Sequence, residues 1–191
     1  MRYLLVHILC ILFFGTNVNA TKKIENIKIN EALSFCKKKN MDTDICIMID
    51  MNIPSGKNRI FVWDFNKKSI LFEGLCAHGV GGGSTATKVN YSNAIGSNCT
   101  SLGKYKLGAR AYSNWGINIH YKMHGLEKTN SNAYKRIVVL HSYYPIPNYE
   151  IYPSTLFGQS AGCPVVSNIF MKKVDNLLKN RKKSVLLWIY D

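Results

Sequence analysis

The chain has 191 residues, 47% hydrophobic and 19% charged, enough for one domain with a full hydrophobic core and too few for two well-formed ones. Lys and Arg number 25 against 11 Asp and Glu, a formal charge of +14, and nucleic acid is the usual partner of such a surface. Two features argue against that partner: the sequence carries no nucleic-acid-binding motif, and it opens with an export address.

Residues 1–20 read as a signal peptide. Met1-Arg2-Tyr3 is the basic start, residues 4–14 are apolar, and Val18-Asn19-Ala20 places the cut after Ala20. An apolar run of about 11 residues suits a signal segment and falls well short of the roughly 20 that a spanning helix needs. The expected protein is exported to the periplasm or cell envelope, with no integral membrane segment left after cleavage. Cys10 does not make a lipoprotein box, since Leu9 is bulky where such a box needs a small residue. Loss of Arg2 leaves +13, which suits anionic cell-wall polymers such as peptidoglycan carboxylates and phosphate-bearing glycans. The plain alternative is a lysine-rich surface that only keeps the protein soluble.

Five cysteines remain after cleavage, Cys36, Cys46, Cys76, Cys99 and Cys163. An odd count in an exported protein points to one thiol that is reactive or linked elsewhere. Cys36 with Cys46 and Cys76 with Cys99 would close two small loops, one of three possible pairings of those four, and would leave Cys163 free.

Residues 21–44 read as a lead-in and a short helix, 30–36, running into Lys37-Lys38-Lys39, a placement that suits a helix C-terminus. Residues 45–191 read as one catalytic domain. Strands are expected at 45–51, at 60–65 and, across a turn at 66–69, at 70–76, with Pro54-Ser55-Gly56 breaking the first pair. His78-Gly79-Val80-Gly81-Gly82-Gly83-Ser84 resembles a phosphate-cradling loop but lacks the Gly-Lys-Ser/Thr ending and a following helix pattern. It is read as a loop bordering a groove, with His78 lining it. Further strands are expected at 104–107, 115–123, 137–140 and 184–190, and a helix at 169–178. His120 and His124 have a zinc-like spacing only on a helix; the expected strand and the missing third ligand argue against a metal.

The chemistry concentrates at Ser160-Ala161-Gly162-Cys163-Pro164 and at His141-Ser142. A thiol at its ordinary pKa is a few per cent thiolate at neutral pH and needs a base beside it. His141, at a strand end, is the candidate base, and the two are expected to form a thiolate–imidazole pair. No Asn or Asp adjoins either residue, so a backbone carbonyl is the economical third element. Pro164 has no N–H, which leaves the amides of Cys163 and of a residue just before it, Gly162, as oxyanion donors.

These residues resemble the murein L,D-transpeptidases with a YkuD-like catalytic domain. His141-Ser142 and Ser160-Ala161-Gly162-Cys163, 22 residues from His141 to Cys163, match the family's reaction centre. Ser55-Gly56-Lys57-Asn58-Arg59, His78-Gly79, Tyr91-Ser92-Asn93, Ser101-Leu102-Gly103 and Asn130-Ser131-Asn132-Ala133 look like the branch whose cysteine precedes proline. The resemblance implies a mainly β, α+β fold with a mixed β-sheet sandwich. It also implies Cys163 as nucleophile on peptidoglycan stem tetrapeptides, His141 as base, the Ser142 carbonyl as its orienter, and no metal or organic cofactor. The commoner branch carries an Arg or Asn two residues after the cysteine, where this chain has Val165; Arg59, Arg110 or Arg136 would have to replace it. Ser160, His78, Arg59 and Arg136 are the expected substrate contacts. The alternatives are an L,D-carboxypeptidase of the same fold and an inactive murein-binding module. A general cysteine protease is disfavoured by the missing Asn or Asp.

Overall fold

The structure is a computed structural model that describes residues 26–191. The expected signal peptide, its expected cleavage site and Cys10 lie outside the described residues. Eleven segments of regular structure follow one another: α1 (Asn26–Lys38), β1 (Ile45–Asp50), β2 (Ile60–Asp64), β3 (Ser69–Gly74), β4 (Gly103–Tyr112), β5 (Ile119–Gly125), a 3-10 turn (Lys128–Asn130), β6 (Val139–Ser142), β7 (Val165–Val166), α2 (Asn168–Leu178) and β8 (Leu186–Tyr190). The mainly β expectation with a few helices holds.

All eight strands join one mixed sheet in the order β3-β2-β1-β8-β4-β5-β6-β7. Strand β1 shows why both faces are covered. Ile45, Ile47 and Ile49 enter one core, and Cys46 and Met48, pointing the other way, enter a second. The first core takes Phe170, Met171, Val174 and Leu178 from α2, and the second takes Ile29, Ala32 and Cys36 from α1. Each helix therefore presents an apolar stripe to one face of the sheet. Helix α1 begins four residues before the expected segment and still ends on Lys37 and Lys38. Helix α2 starts where the Ser167 side chain accepts a hydrogen bond from the Phe170 amide, satisfying one of the free donors of the first turn.

The far edge of the sheet carries His141 and the segment of Cys163. Strand β7 has two residues and runs parallel to β6, with Val165 opposite His141. The His141 amide donates to the Pro164 carbonyl across the same junction. Ala77 closes the other side of β7 by an isolated bridge to Val165. Cys163 is thus anchored two residues from the strand that pairs with the histidine strand.

The loop that precedes Cys163 is held by the Ser55-Gly56 turn. Gly56 accepts from the amides of Ile151 and Tyr152, and Ser55 Oγ exchanges hydrogen bonds with the carbonyl and amide of Leu156. A Cβ at Gly56 would stand 1.9 Å from the Ser154 carbonyl oxygen, so only glycine allows this approach.

Candidate active site

Cys163, Ser160, Ala161, Gly158, Gln159, His141, Tyr143, Trp115 and Val80 line one cavity of about 400 Å³. Ser160 shapes the turn that presents the thiol: its hydroxyl donates to the Cys163 carbonyl and accepts from the Gly162 amide at 3.0 Å. The Gly162 N–H is therefore spent inside the turn, and the expected oxyanion role for that amide does not fit the geometry. Among the described residues the Cys163 amide has no acceptor.

The Cys163 sulfur is held from behind. The Val139 amide donates to Sγ at 3.5 Å, and the Ile137 carbonyl lies 3.9 Å from it as a weak acceptor for the S–H. Ile137 reaches this position at φ 57°, a conformation that is strained for a β-branched residue. Burial pushes the Cys163 pKa up, against the opposing pull of the Val139 N–H and the Arg136 charge.

His141 stands on β6 with its Nδ1 3.1 Å from the Ser142 carbonyl oxygen. A carbonyl only accepts, so Nδ1 carries the proton and Nε2 keeps its lone pair. Burial pushes the His141 pKa down, opposed by the Ser142 hydrogen bond and helped by the neighbouring His120. Both displacements favour the uncharged forms, thiol and neutral imidazole. The ring and the thiol line the same cavity, and the thiolate–imidazole pair expected from sequence would have to form against both shifts.

Arg136 ties the rest of the motif residues to the turn. Its guanidinium donates to the carbonyls of Ser92 and Cys99 and to Ser101 Oγ. Nη2 would lie 3.1 Å from a Cβ at Gly162. Asn93 and Asn132 clasp each other through two hydrogen bonds of 3.0 Å, fastening the 92–101 loop to the segment that carries Arg136 and Ile137. Of Arg59, Arg110 and Arg136, it is Arg136 that stands beside the Cys163 turn, and its donors are engaged in building the frame. Arg110 pairs with Asp175 on α2 at 2.7 Å.

Arg59 and His78 do not line the cavity, contrary to expectation. Both are 1% exposed. Arg59 donates to the carbonyls of Cys76 and Ile53 and to His78 Nδ1 at 3.0 Å. His78 Nδ1 must then be the acceptor, which leaves the proton on Nε2 facing the Thr85 carbonyl at 3.0 Å. Burial, then the Arg59 charge, holds His78 below its ordinary pKa. These two residues brace the loop behind the groove, a role that buried charge takes only when it is fully hydrogen-bonded.

The five described cysteines are all free thiols, so the two expected disulfides are not formed. Cys163 is singled out by access instead of by the odd count: it alone of the five is partly exposed. Burial raises three of the others, Cys36 to about 12, Cys76 to about 11 and Cys46 well above its usual value. Native protein treated with iodoacetamide should therefore gain one adduct, on Cys163, and five after denaturation, read by intact mass and peptide mapping. Two or more adducts on the native protein would contradict this burial pattern.

His120 and His124 lie on β5, as the strand reading required. Four residues along a strand separate them by roughly 13 Å, too far to share one ion. Among the described residues no helix is long and apolar enough to cross a membrane.

No curated protein sequence matches the chain. Among solved structures, a point mutant of the helical cell shape determining protein Pgp2 from Campylobacter jejuni superposes with a TM-score of 0.51 at 15% identity, over 85% of this chain and 54% of that one. The chain thus spans about half the length of that protein. An L,D-transpeptidase from Xylanimonas cellulosilytica is similar at a TM-score of 0.42 and 13% identity, over 76% of this chain and 60% of that one. The model of one family, described as the L,D-transpeptidase catalytic domain, matches residues 18–190. That match takes in α1, the whole sheet and the Cys163 turn, and the chain belongs to the L,D-transpeptidase catalytic domain family.

Proposed function

We propose that this chain is an exported cysteine L,D-transpeptidase of peptidoglycan. The observation that carries the reading is the His141 tautomer: Nδ1 is fixed on the Ser142 carbonyl, and the ring lines the same cavity as Cys163. Nε2 takes the thiol proton as Sγ attacks the amide between the third stem residue, a diamino acid, and its D-alanine. The oxyanion accepts from the Cys163 amide. On collapse His141 returns the proton to the leaving amine, D-alanine departs, and a thioester remains. The side-chain amine of a second stem attacks that thioester, its proton passes to His141, and Sγ leaves, giving a 3→3 crosslink. Water in place of the amine would give an L,D-carboxypeptidase. The net positive charge fits the anionic polymers of the wall.

Incubation with tetrapeptide muropeptides and chromatographic analysis of the products tests the reading. Crosslinked dimers with release of D-alanine are expected. Tripeptides alone would make the chain a carboxypeptidase, and unchanged substrate would favour a binding module. A carbapenem should add once to the protein by intact mass, and Cys163→Ala should remove that adduct.

A further inference from the structure

A second cavity of about 250 Å³ lies against the nucleophile and shares no lining residue with the first. Lys122, Tyr134, Ile137, Val138 and Val139 form it. Two of these, Ile137 and Val139, are the residues whose backbone groups hold the Cys163 sulfur. The thiol therefore stands between two cavities, part of the wall of one and in contact with the wall of the other.

Strand register sets what faces the second cavity. His120, Lys122 and His124 alternate with the buried Tyr121 and Met123 along β5, so all three point away from the core. Lys122 pairs directly with Val139 on β6, and His120 pairs with His141. Side chains directly opposite on antiparallel strands share a face about 5 Å apart. Lys122 is thus one cross-strand step from the residue that donates to the sulfur. Its Nζ lies 5.4 Å from the centre of the Tyr134 ring, which stacks on His124 at 5.1 Å. Among the described residues no carboxylate pairs with Lys122. The wall of this cavity offers one unpaired cation, an aromatic face and the apolar Ile137, Val138 and Val139.

From this arrangement we infer that the second cavity receives the acceptor stem peptide, with Lys122 binding one of its carboxylates. The inference rests on the transpeptidase reading and adds the residue that directs the thioester toward an amine in preference to water. A carboxylate on Lys122 and peptide packed on Tyr134 bring the acceptor chain beside Sγ while the donor acyl group still fills the first cavity. Held there, the amine reacts as an intramolecular partner, an advantage that water does not share. The Lys122 charge also disfavours protonation of a nearby amine, keeping it nucleophilic.

The test follows the ratio of crosslinked dimer to released D-alanine. With tetrapeptide substrate, Lys122→Gln should lower that ratio at least tenfold, with tripeptide taking the place of dimer, and Lys122→Arg should restore most of it. An acceptor stem with amidated carboxylates should give wild type the same low ratio, and Lys122→Gln should add no further loss with that acceptor. A carbapenem adduct by intact mass on each variant checks that the fold and the thiol survive. An unchanged ratio in Lys122→Gln, or equal use of amidated and free acceptors by wild type, would overturn the inference while leaving the Cys163 chemistry intact. Wild type that neither releases D-alanine nor takes the carbapenem would instead sink the transpeptidase reading, and the inference with it.

Discussion

His141→Ala is expected to slow acylation of Cys163 by a carbapenem about 10²–10⁴-fold at neutral pH, the usual worth of a positioned general base. The sign and shape of the pH dependence follow from the two displaced groups. Burial holds His141 below its ordinary pKa and Cys163 above its own. In wild type the rate should rise as His141 loses its proton on the acid side, then stay nearly level through neutrality, because the base is already free and the thiol still protonated. Without the imidazole the reaction depends on spontaneous thiolate. Its rate should climb about tenfold per pH unit until the raised thiol pKa is passed. The gap between the two proteins should therefore be widest near neutrality and close as pH rises. Stopped-flow acylation from pH 5 to 10 checks it. Parallel profiles for the two proteins would show that His141 does not take the proton, and a wild-type thiolate absorbance persisting at pH 6 would restore the ion pair.

Some of this was legible in the sequence, and the reasons differ by element. The run Ile45-Cys46-Ile47-Met48-Ile49 announced a strand; the fold shows that it is buried on both faces, since its consecutive apolar residues leave neither side for solvent. The spacing of Phe170, Val174 and Leu178 announced α2. Strand β7 was invisible, since Val165 and Val166 are too few to show a period. Its pairing with β6 rests on the Pro164 and Val166 carbonyls, and Ala77 on a distant segment closes its other side. Arg59 was read as a substrate contact, standing in for the residue that the commoner branch carries two positions after its cysteine. Only the assembled fold shows the two carbonyls and the histidine nitrogen that make its burial tolerable. The disulfides failed for a related reason: separation along the chain carries no information on the Cβ geometry that a bridge needs. Lys122 lay in a stretch whose alternation was imperfect. Its importance appears when β5 is set beside β6 and the register puts it opposite Val139.

Gly162→Ala should lower the rate of Cys163 acylation at least about a hundredfold, the cost of moving reacting groups by about an ångström. Gly162 sits at φ 114°, and a Cβ there would meet the Cys99 carbonyl oxygen at 2.7 Å and Arg136 Nη2 at 3.1 Å. Neither neighbour can retreat easily. The Cys99 carbonyl is held by Arg136, which is itself bound to Ser92 and Ser101. The turn must therefore lift away from the 92–101 loop, carrying the thiol and the Cys163 amide with it. Gly96 separates clash from backbone strain. It also has a positive φ, 77°, with nothing within 4 Å of its would-be Cβ. Gly96→Ala should show only the strain, about 1–3 kcal/mol, as a small fall in Tm with acylation unchanged. Gly162→Ala should show a comparable fall in Tm together with the kinetic loss. Measuring Tm and carbapenem acylation on both variants decides the matter: equal acylation by the two would mean that the Gly162 turn tolerates the added methyl and that the frame around Arg136 does not fix the position of the nucleophile.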